Sequence, residues 1–208
     1  MPPTPGFSRF TAYGDDSVTV ARRLLGQRLV RVVDGQRLAG TIVEVEAYLG
    51  MQDAAAHTFK GRRTARNESM YLPGGHTYVY MIYGMHFCMN VVCGAAETGT
   101  AVLLRALEPT EGLDVMRAHR TAVKKPRRNL RDRDLCSGPG KLAQALRIDR
   151  SLDGEALLES DRLWIESVPP GETPLQIEAS SRIGVAYAGE WAEKPLRFFL
   201  AGNPHVSH

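Results

Sequence analysis

Residues 29–48, LVRVVDGQRLAGTIVEVEAY, decide the fold. Two runs rich in β-branched residues, LVRVV (29–33) and LAGTIVEVEAY (38–48), are joined through Asp34-Gly35. That dipeptide accepts the positive φ angles of a tight turn and predicts a β-hairpin. Side chains alternate across a strand, so Glu44, Glu46 and Tyr48 share one face while Val43, Val45 and Ala47 share the other. The valine face suits a core. Two carboxylates and an aromatic ring in a row suit a cleft that stacks a planar ligand beside a general base. They suit a solvated strand surface equally well, and alternation does not choose between the two glutamates.

Upstream, Asp16 is placed to cap a helix, SVTVARRLL (17–25), that Gly26 ends. Downstream, residues 60–76 read as loop. TYVYMI (77–82) and FCMNVV (87–92) then flank Tyr83-Gly84-Met85-His86, a second hairpin. A strand, AVLLRALEP (101–109), leads into an amphipathic helix near 110–120, and another helix starts near Ser137. Short strands are expected around LWIESV (163–168), RIGVAYA (182–188) and LRFFL (196–200). The strands cluster without βαβ alternation. The expectation is one α+β domain over residues 1–208, with residues 1–9 flexible: a curved, mostly antiparallel sheet, surrounding helices and a protruding hairpin.

The chain has 208 residues, 43% of them hydrophobic, enough for one substantial core. No run approaches the roughly 20 apolar residues that span a bilayer. MPPTPGFSRF at the N-terminus lacks the apolar core and cleavage pattern of a signal peptide. Three cysteines, Cys88, Cys93 and Cys136, with no CxxC pair, fit a reduced, cytoplasmic setting without a disulfide framework or structural zinc. The net charge of +3 is unevenly spread: residues 117–134 hold eight Lys or Arg against Asp132 and Asp134, while the remainder carries 18 basic and 21 acidic residues. A basic segment on a weakly acidic body suits a polyanion, nucleic acid first, although a solvated surface loop gives the same pattern.

LCSGPGKL (135–142) is not a P-loop, because Leu142 follows Lys141 and the glycine spacing is too short. A helix start there could hold one phosphate with help from Lys141, or be an ordinary helix start. LPGGHT (72–77) is followed by an aromatic strand where a helix-hairpin-helix motif needs a helix. No HExxH, HxE…PCxxC, Cys/His cluster or GxGxxG occurs, so neither metal nor cofactor is expected.

TYVYMIYGMHFCMN (77–90) is aromatic beyond the 7% average of the chain. Tyr78, Tyr80 and Ile82 fall on one strand face, and Tyr83 begins the turn. A tyrosine at a hairpin tip beside a glycine is placed to act as a wedge in a duplex, or to fold back over its own hairpin.

The blocks VEVEAYLGMQDAAAH (43–57), RRTARNESM (62–70), YVYMIYGMHFCMN (78–90), LLRALEP (103–109), LCSGPGKL (135–142) and GEWAEKPLRFF (189–199) occur in one order over roughly residues 10–204. Together they make the chain resemble the alkyladenine (3-methyladenine) DNA glycosylase family. The resemblance implies excision of an alkylated or deaminated purine from double-stranded DNA by a monomer without cofactor or metal, leaving an abasic site. By that likeness Glu46 deprotonates the attacking water, which Arg105 and a backbone carbonyl near Ile183 help to hold. Tyr48 and Tyr80 sandwich the flipped base, His57 bonds near the base and its sugar-phosphate, Asn90 clashes with the amine of normal guanine, and Leu103 packs along the pocket wall. Tyr83 is the wedge, entering the minor groove with Met85 beside it. Arg62 and Lys141 are candidates for phosphate contacts. His86 departs from the aromatic that some relatives carry beside the wedge.

The chemistry is consistent with these residue types. Extruding a base costs a few kcal/mol, least for a damaged one. Stacking on aromatic rings recovers roughly 1–3 kcal/mol per base. Cleaving the glycosidic bond builds positive charge on the sugar, which a carboxylate stabilises. A damage sensor without catalysis would need no acid–arginine pair, and a nucleoside hydrolase would need neither a tyrosine-tipped hairpin nor a basic flank.

Overall fold

The computed structural model of the chain describes residues 7–122, 130–169, 171 and 174–207. In chain order the elements are β1 (Ser8–Arg9), α1 (Ser17–Leu24), β2 (Arg28–Val33), β3 (Gln36–Tyr48), β4 (Thr77–Ile82), β5 (His86–Cys93) and β6 (Thr100–Glu111). They continue as α2 (Leu113–Thr121), α3 (Pro139–Ala145), β7 (Leu163–Ser167), β8 (Ile177–Ser180), α4 (Glu190–Glu193) and β9 (Arg197–Leu200). The strands form one antiparallel, curled sheet in the order β1-β7-β2-β3-β6-β5-β4. β3 is long enough to serve two neighbours along one edge: β2 pairs with residues 36–41, and β9 with residues 44–46 while itself pairing with β8. The fold is mixed α and β, as the strand clustering predicts.

Local chemistry explains the elements that position the cleft. Asp16 Oδ1 accepts from the backbone N–H of Val18 at 2.9 Å and of Thr19 at 3.0 Å, a cap worth about 1 kcal/mol. α1 then buries Val20, Ala21 and Leu24, each large side chain contributing roughly 1.5–3 kcal/mol. The chain leaves the helix at Gly26, whose φ of 83° only glycine adopts freely and whose N–H donates to Ile42 O at 2.9 Å. Asp34 and Gly35 both take positive φ, 50° and 75°, as the predicted tight turn requires.

The main core lies on one face of the sheet, where Val45, Ala47, Val79, Met89, Val91, Val102 and Leu104 meet α1 and α3. Register shifts on either side of Glu44 break the simple alternation of β3. Ile42, rather than Val43, therefore joins Val45 and Ala47 in that core, although Val43 is buried too.

One expected element differs. The segment RIGVAYA is not a strand: the strand lies upstream at Ile177–Ser180, and residues 186–188 form a 3-10 turn. The extended path ends at Ser180, Gly184 takes φ 78°, and the Arg182 side chain is buried against Asp53. Residues 117–121 of the basic segment belong to α2, in line with the helix expected near 110–120, and Asp132–Asp134 form a 3-10 turn. Residues 123–129 of that segment lie outside the described residues, as do residues 1–6 of the expected flexible N-terminus. The stretch 60–76 is loop carrying one short 3-10 turn, Glu68–Tyr71, and the end of another, Phe59–Gly61. Among the described residues no helix is long and apolar enough to cross a membrane.

Candidate active site

The sheet face away from the main core carries the candidate site. Pairing register lines up Glu46 of β3, Leu103 of β6, Asn90 of β5 and Tyr78 of β4 in one row across four strands. A one-residue slip in any strand would turn its member of the row into the core. Over this row opens a cleft of about 570 Å³. Its floor includes Tyr48, Tyr78, Tyr80, Asn90, Leu103 and Arg105, and its sides come from the loop carrying His57, from the start of α3 and from residues 183–187.

Glu46 is fully buried behind this wall. Its Oε2 accepts from the Tyr48 hydroxyl at 2.9 Å, and its Oε1 accepts from the Ile183 N–H at 2.8 Å. Arg105 Nη1 stands 3.1 Å from the same Oε1. The Ile183 N–H thus anchors Glu46, a different group from the carbonyl that the resemblance assigns to the water. Burial, reinforced by the neighbouring Glu46 charge, pushes the Tyr48 hydroxyl well above the usual phenol range, so it stays a proton donor to the carboxylate.

Glu44 is equally buried but has a different set of partners. Its Oε1 accepts from Arg105 Nε at 2.9 Å, Arg197 Nε at 2.6 Å and Ser207 Oγ at 2.8 Å, and its Oε2 from Ser207 N–H at 2.7 Å. Burial alone would raise its pKa, and the guanidinium of Arg105 together with these bonds outweighs that and holds it below the usual carboxylate range. Arg105 is held charged in the same way: its burial is outweighed by Glu46 and Glu44. Neither glutamate is a solvated strand carboxylate, which removes that reading.

Tyr80 and Tyr78 stack at 5.1 Å with 24° between their planes. His57 meets Tyr80 edge-on at 4.7 Å, and its Nδ1 is 2.7 Å from the Tyr78 hydroxyl. Burial first, then the charges of Arg66 and Arg62, lower the His57 pKa to about 4, so the ring is neutral near pH 7. Asn90 is fixed by its Nδ2 donating to Tyr78 O at 3.1 Å. Tyr48, His57, Tyr80, Asn90, Leu103 and Arg105 are therefore gathered in one place, with Ile183 at the rim.

Tyr83 and Met85 sit in the turn between β4 and β5 and are 83% and 72% exposed, so neither folds back to bury its side chain. Tyr83 holds φ at 53°, beside Gly84 at 67°. A non-glycine residue there costs about 1 kcal/mol or more, and the turn closes with the Met85 N–H donating to Ile82 O at 3.3 Å. Arg62 lies outside this cleft, on an adjoining cavity that shares His57, Arg66, Tyr78 and Tyr187 with it. Lys141 is exposed near the start of α3, with Nζ 3.3 Å from Ser137 Oγ. Much of the described basic segment is paired internally: Arg117 bonds Asp114 at 2.7 Å and also Asp132, and Arg131 bonds Asp134 at 2.8 Å.

Pattern reading missed Arg182 and Asp53. Asp53 Oδ2 and Oδ1 accept from Arg182 at 2.6 and 2.8 Å with both side chains inaccessible to solvent, and the guanidinium lies 4.7 Å from the centre of the Tyr48 ring. Arg182 also donates to Ala47 O at 2.9 Å and to Trp191 O at 3.2 Å, which ties the end of β3 to the loop that carries Ile183. These partners are 129 or more residues apart in the case of Asp53 and Ala47, beyond any local signal. Cys88, Arg66 and Tyr187 also line the cleft without having been singled out. The three cysteines are buried and free.

The structure is thus a curled antiparallel sheet with a tyrosine-lined cleft in front of a buried glutamate–arginine pair. The chain belongs to the methylpurine-DNA glycosylase family, whose family model matches residues 11–204. It is 51% identical over 199 residues to a mouse DNA-3-methyladenine glycosylase, covering 94% of this chain and 59% of that protein. It is 49% identical to the human DNA-3-methyladenine glycosylase, covering 94% and 66% respectively. A putative 3-methyladenine DNA glycosylase of Bacillus cereus is 45% identical, with 94% of this chain and 96% of that protein aligned. The chain spans about 60% of the length of the mouse relative and about two thirds of the human one.

Proposed function

We propose that this protein is a DNA repair glycosylase that flips an alkylated or deaminated purine out of duplex DNA and hydrolyses its N-glycosidic bond. The observation that carries the reading is the shared cleft: two tyrosines, Tyr48 and Tyr80, line the cavity that Asn90 and Leu103 floor, and the Tyr48 hydroxyl is bonded to Glu46. Family membership and the names of the mouse, human and Bacillus relatives support it.

In this reading the extruded purine stacks between Tyr48 and Tyr80, and Asn90 at the floor disfavours the exocyclic amine of normal guanine. His57, neutral and fixed on Tyr78, donates or accepts a hydrogen bond near the base and its sugar-phosphate. A water approaching beside the Tyr48 hydroxyl reaches Oε2 of Glu46, since Oε1 already faces the Ile183 N–H and Arg105. The water oxygen bonds to C1′ of the sugar, its proton passes to Glu46, and the electrons of the C1′–N bond leave with the purine. Alkylated purines that carry positive charge depart without prior protonation. No lysine is among the described residues that line the cleft, which supports a reading without an imine step. The product is an abasic site in an uncut strand. Tyr83, with Met85, fills the gap in the stack from the minor groove, while Arg62 and Lys141 meet phosphates. The protein works as a monomer on chromosomal DNA, in the cytoplasm or nucleoid.

The test is incubation with duplexes bearing 3-methyladenine, 7-methylguanine, hypoxanthine or ethenoadenine, measuring free base, abasic sites and strand breaks. Free base with alkali-labile but uncut strands is expected. No release from any of the four overturns the activity, and strand breaks without alkali overturn the single-step hydrolysis.

A further inference from the structure

Glu44 has the more extensive set of partners of the two β3 carboxylates, yet the proposed reaction does not use it. Its Oε1 takes the Nε edge of Arg105 at 2.9 Å, and Ser207 Oγ takes Nη2 of the same guanidinium at 3.3 Å. Arg105 is thereby held along one side of its planar fork, and only its Nη1 corner is turned to Glu46, at 3.1 Å. Glu44 is in turn fixed by Arg197 and by two bonds from Ser207. A guanidinium pairs most strongly with a carboxylate when two parallel N–H groups meet two oxygens. Without Glu44, Arg105 would be free to turn that edge onto Glu46 and occupy the lone pairs that a water needs.

We propose that Glu44 is a positioning residue for the base-release reaction: it competes for Arg105 and so leaves a lone pair of Glu46 to take the proton of the water. The two glutamates thus divide the work on one arginine, Glu44 holding the guanidinium and Glu46 accepting the proton. This rests on the hydrolytic reading above. It places a role on the carboxylate that strand alternation cannot tell apart from its neighbour.

The test compares Glu44→Gln, Glu44→Asp, Arg105→Gln and the Glu44→Gln/Arg105→Gln pair, in single-turnover excision and in binding to lesion-bearing duplex. Glu166→Gln, a buried carboxylate on another part of the sheet, serves as a stability control. Glu44→Gln is expected to slow excision about 10- to 100-fold with duplex affinity changed less than about 3-fold. Glu44→Asp should recover part of the rate. On the Arg105→Gln background the Glu44 substitution should slow excision less than about 2-fold further, because its effect passes through that arginine. Should Glu44→Gln fail to fold, Ser207→Ala is read instead, with a smaller loss of rate and the same dependence on Arg105. Wild-type excision rates in the Glu44 variant, an equal loss with and without Arg105, or an equal loss in Glu166→Gln would each overturn the proposal. If the wild-type protein releases no base at all, it is the hydrolytic reading that fails.

Discussion

Strand β3 runs through two ion clusters, each built around a fully buried glutamate, and one of them stands behind the 570 Å³ cleft. At its first half Arg37 bonds Glu166 at 2.8 Å and Glu111 at 2.8 Å, and Trp164 Nε1 donates to Glu166 at 3.3 Å. At its second half Arg105 meets Glu44 and Glu46, and the Tyr48 hydroxyl donates to Glu46. Each cluster sets a fully buried glutamate against arginine and an aromatic donor. The guanidinium carbons of Arg9 and Arg37 lie 5.2 and 5.5 Å from the Trp164 ring, and that residue has no exposure. Tyr48 has Arg182 against its ring but also lines the 570 Å³ cleft. The ingredients of a site are therefore not enough. The Trp164 ring is covered, whereas the Tyr48 ring borders the cleft, and the proposed reaction uses the carboxylate bonded to it.

The sharpest way to break this comparison is to neutralise both glutamates. Glu46→Gln is expected to slow base release by about 10²–10⁴-fold with duplex binding retained, the scale of losing a general base. Glu166→Gln should lower stability by about 1–3 kcal/mol, the cost of a buried charge left short of its partner, and leave single-turnover release unchanged. Matching effects on both measurements would erase the distinction.

The aromatic members sharpen it next. Trp164→Ala should cost about 3–5 kcal/mol of stability, as for other buried aromatics, while the folded fraction excises normally. Tyr80→Ala should weaken binding to lesion-bearing duplex by about 1–3 kcal/mol through lost stacking, with melting temperature little changed. Tyr83→Ala should weaken binding to duplex more than to single strands, and equal losses on both would remove the wedge role.

A smaller effect concerns pH. The folded pKa of His57 is held at about 4, below the ordinary value of 6.5, by burial and then by Arg66 and Arg62. The unfolded chain therefore takes up the proton first. The resulting stability is complete above about pH 6.5 and is lost as pH falls from 6.5 towards 4. An NMR titration of the His57 ring with its midpoint near 6.5 would contradict this, and His57→Gln should flatten the acid side of the stability curve. The smallest expected effects are those of Arg62→Ala and Lys141→Ala. Each should lower the dependence of log affinity on log salt by about 1 if it meets one phosphate, without changing the rate of bound complex.

How much of this was legible depended on distance along the chain. The Asp34-Gly35 turn, the Asp16 cap and the β4–β5 hairpin follow from neighbouring residues, and each forms where the sequence predicts it. Tyr48 and Glu46 are two residues apart, so alternation places them together. The clamp on Glu44 joins residues 153 and 163 positions away, and no periodicity reaches that far. The strand expected at RIGVAYA failed for a related reason. Its apolar alternation is real, but the segment carries Arg182, whose buried partner Asp53 lies 129 residues away and leaves no mark on local periodicity.

The sequence by itself determined which strand carries the carboxylates, which ring stands beside Glu46, where the tyrosine-tipped turn falls and which family the blocks resemble. Those properties are set by φ preferences, two-residue periodicity and turn chemistry, all of them local. Only the tertiary structure decided that both glutamates are buried, that one is saturated by Arg105, Arg197 and Ser207 while the other stands behind a cleft, and that Arg182 backs Tyr48. Burial and charge pairing depend on what the folded chain brings within about 3 Å of a carboxylate, and that is fixed by strand register and loop closure across the whole molecule.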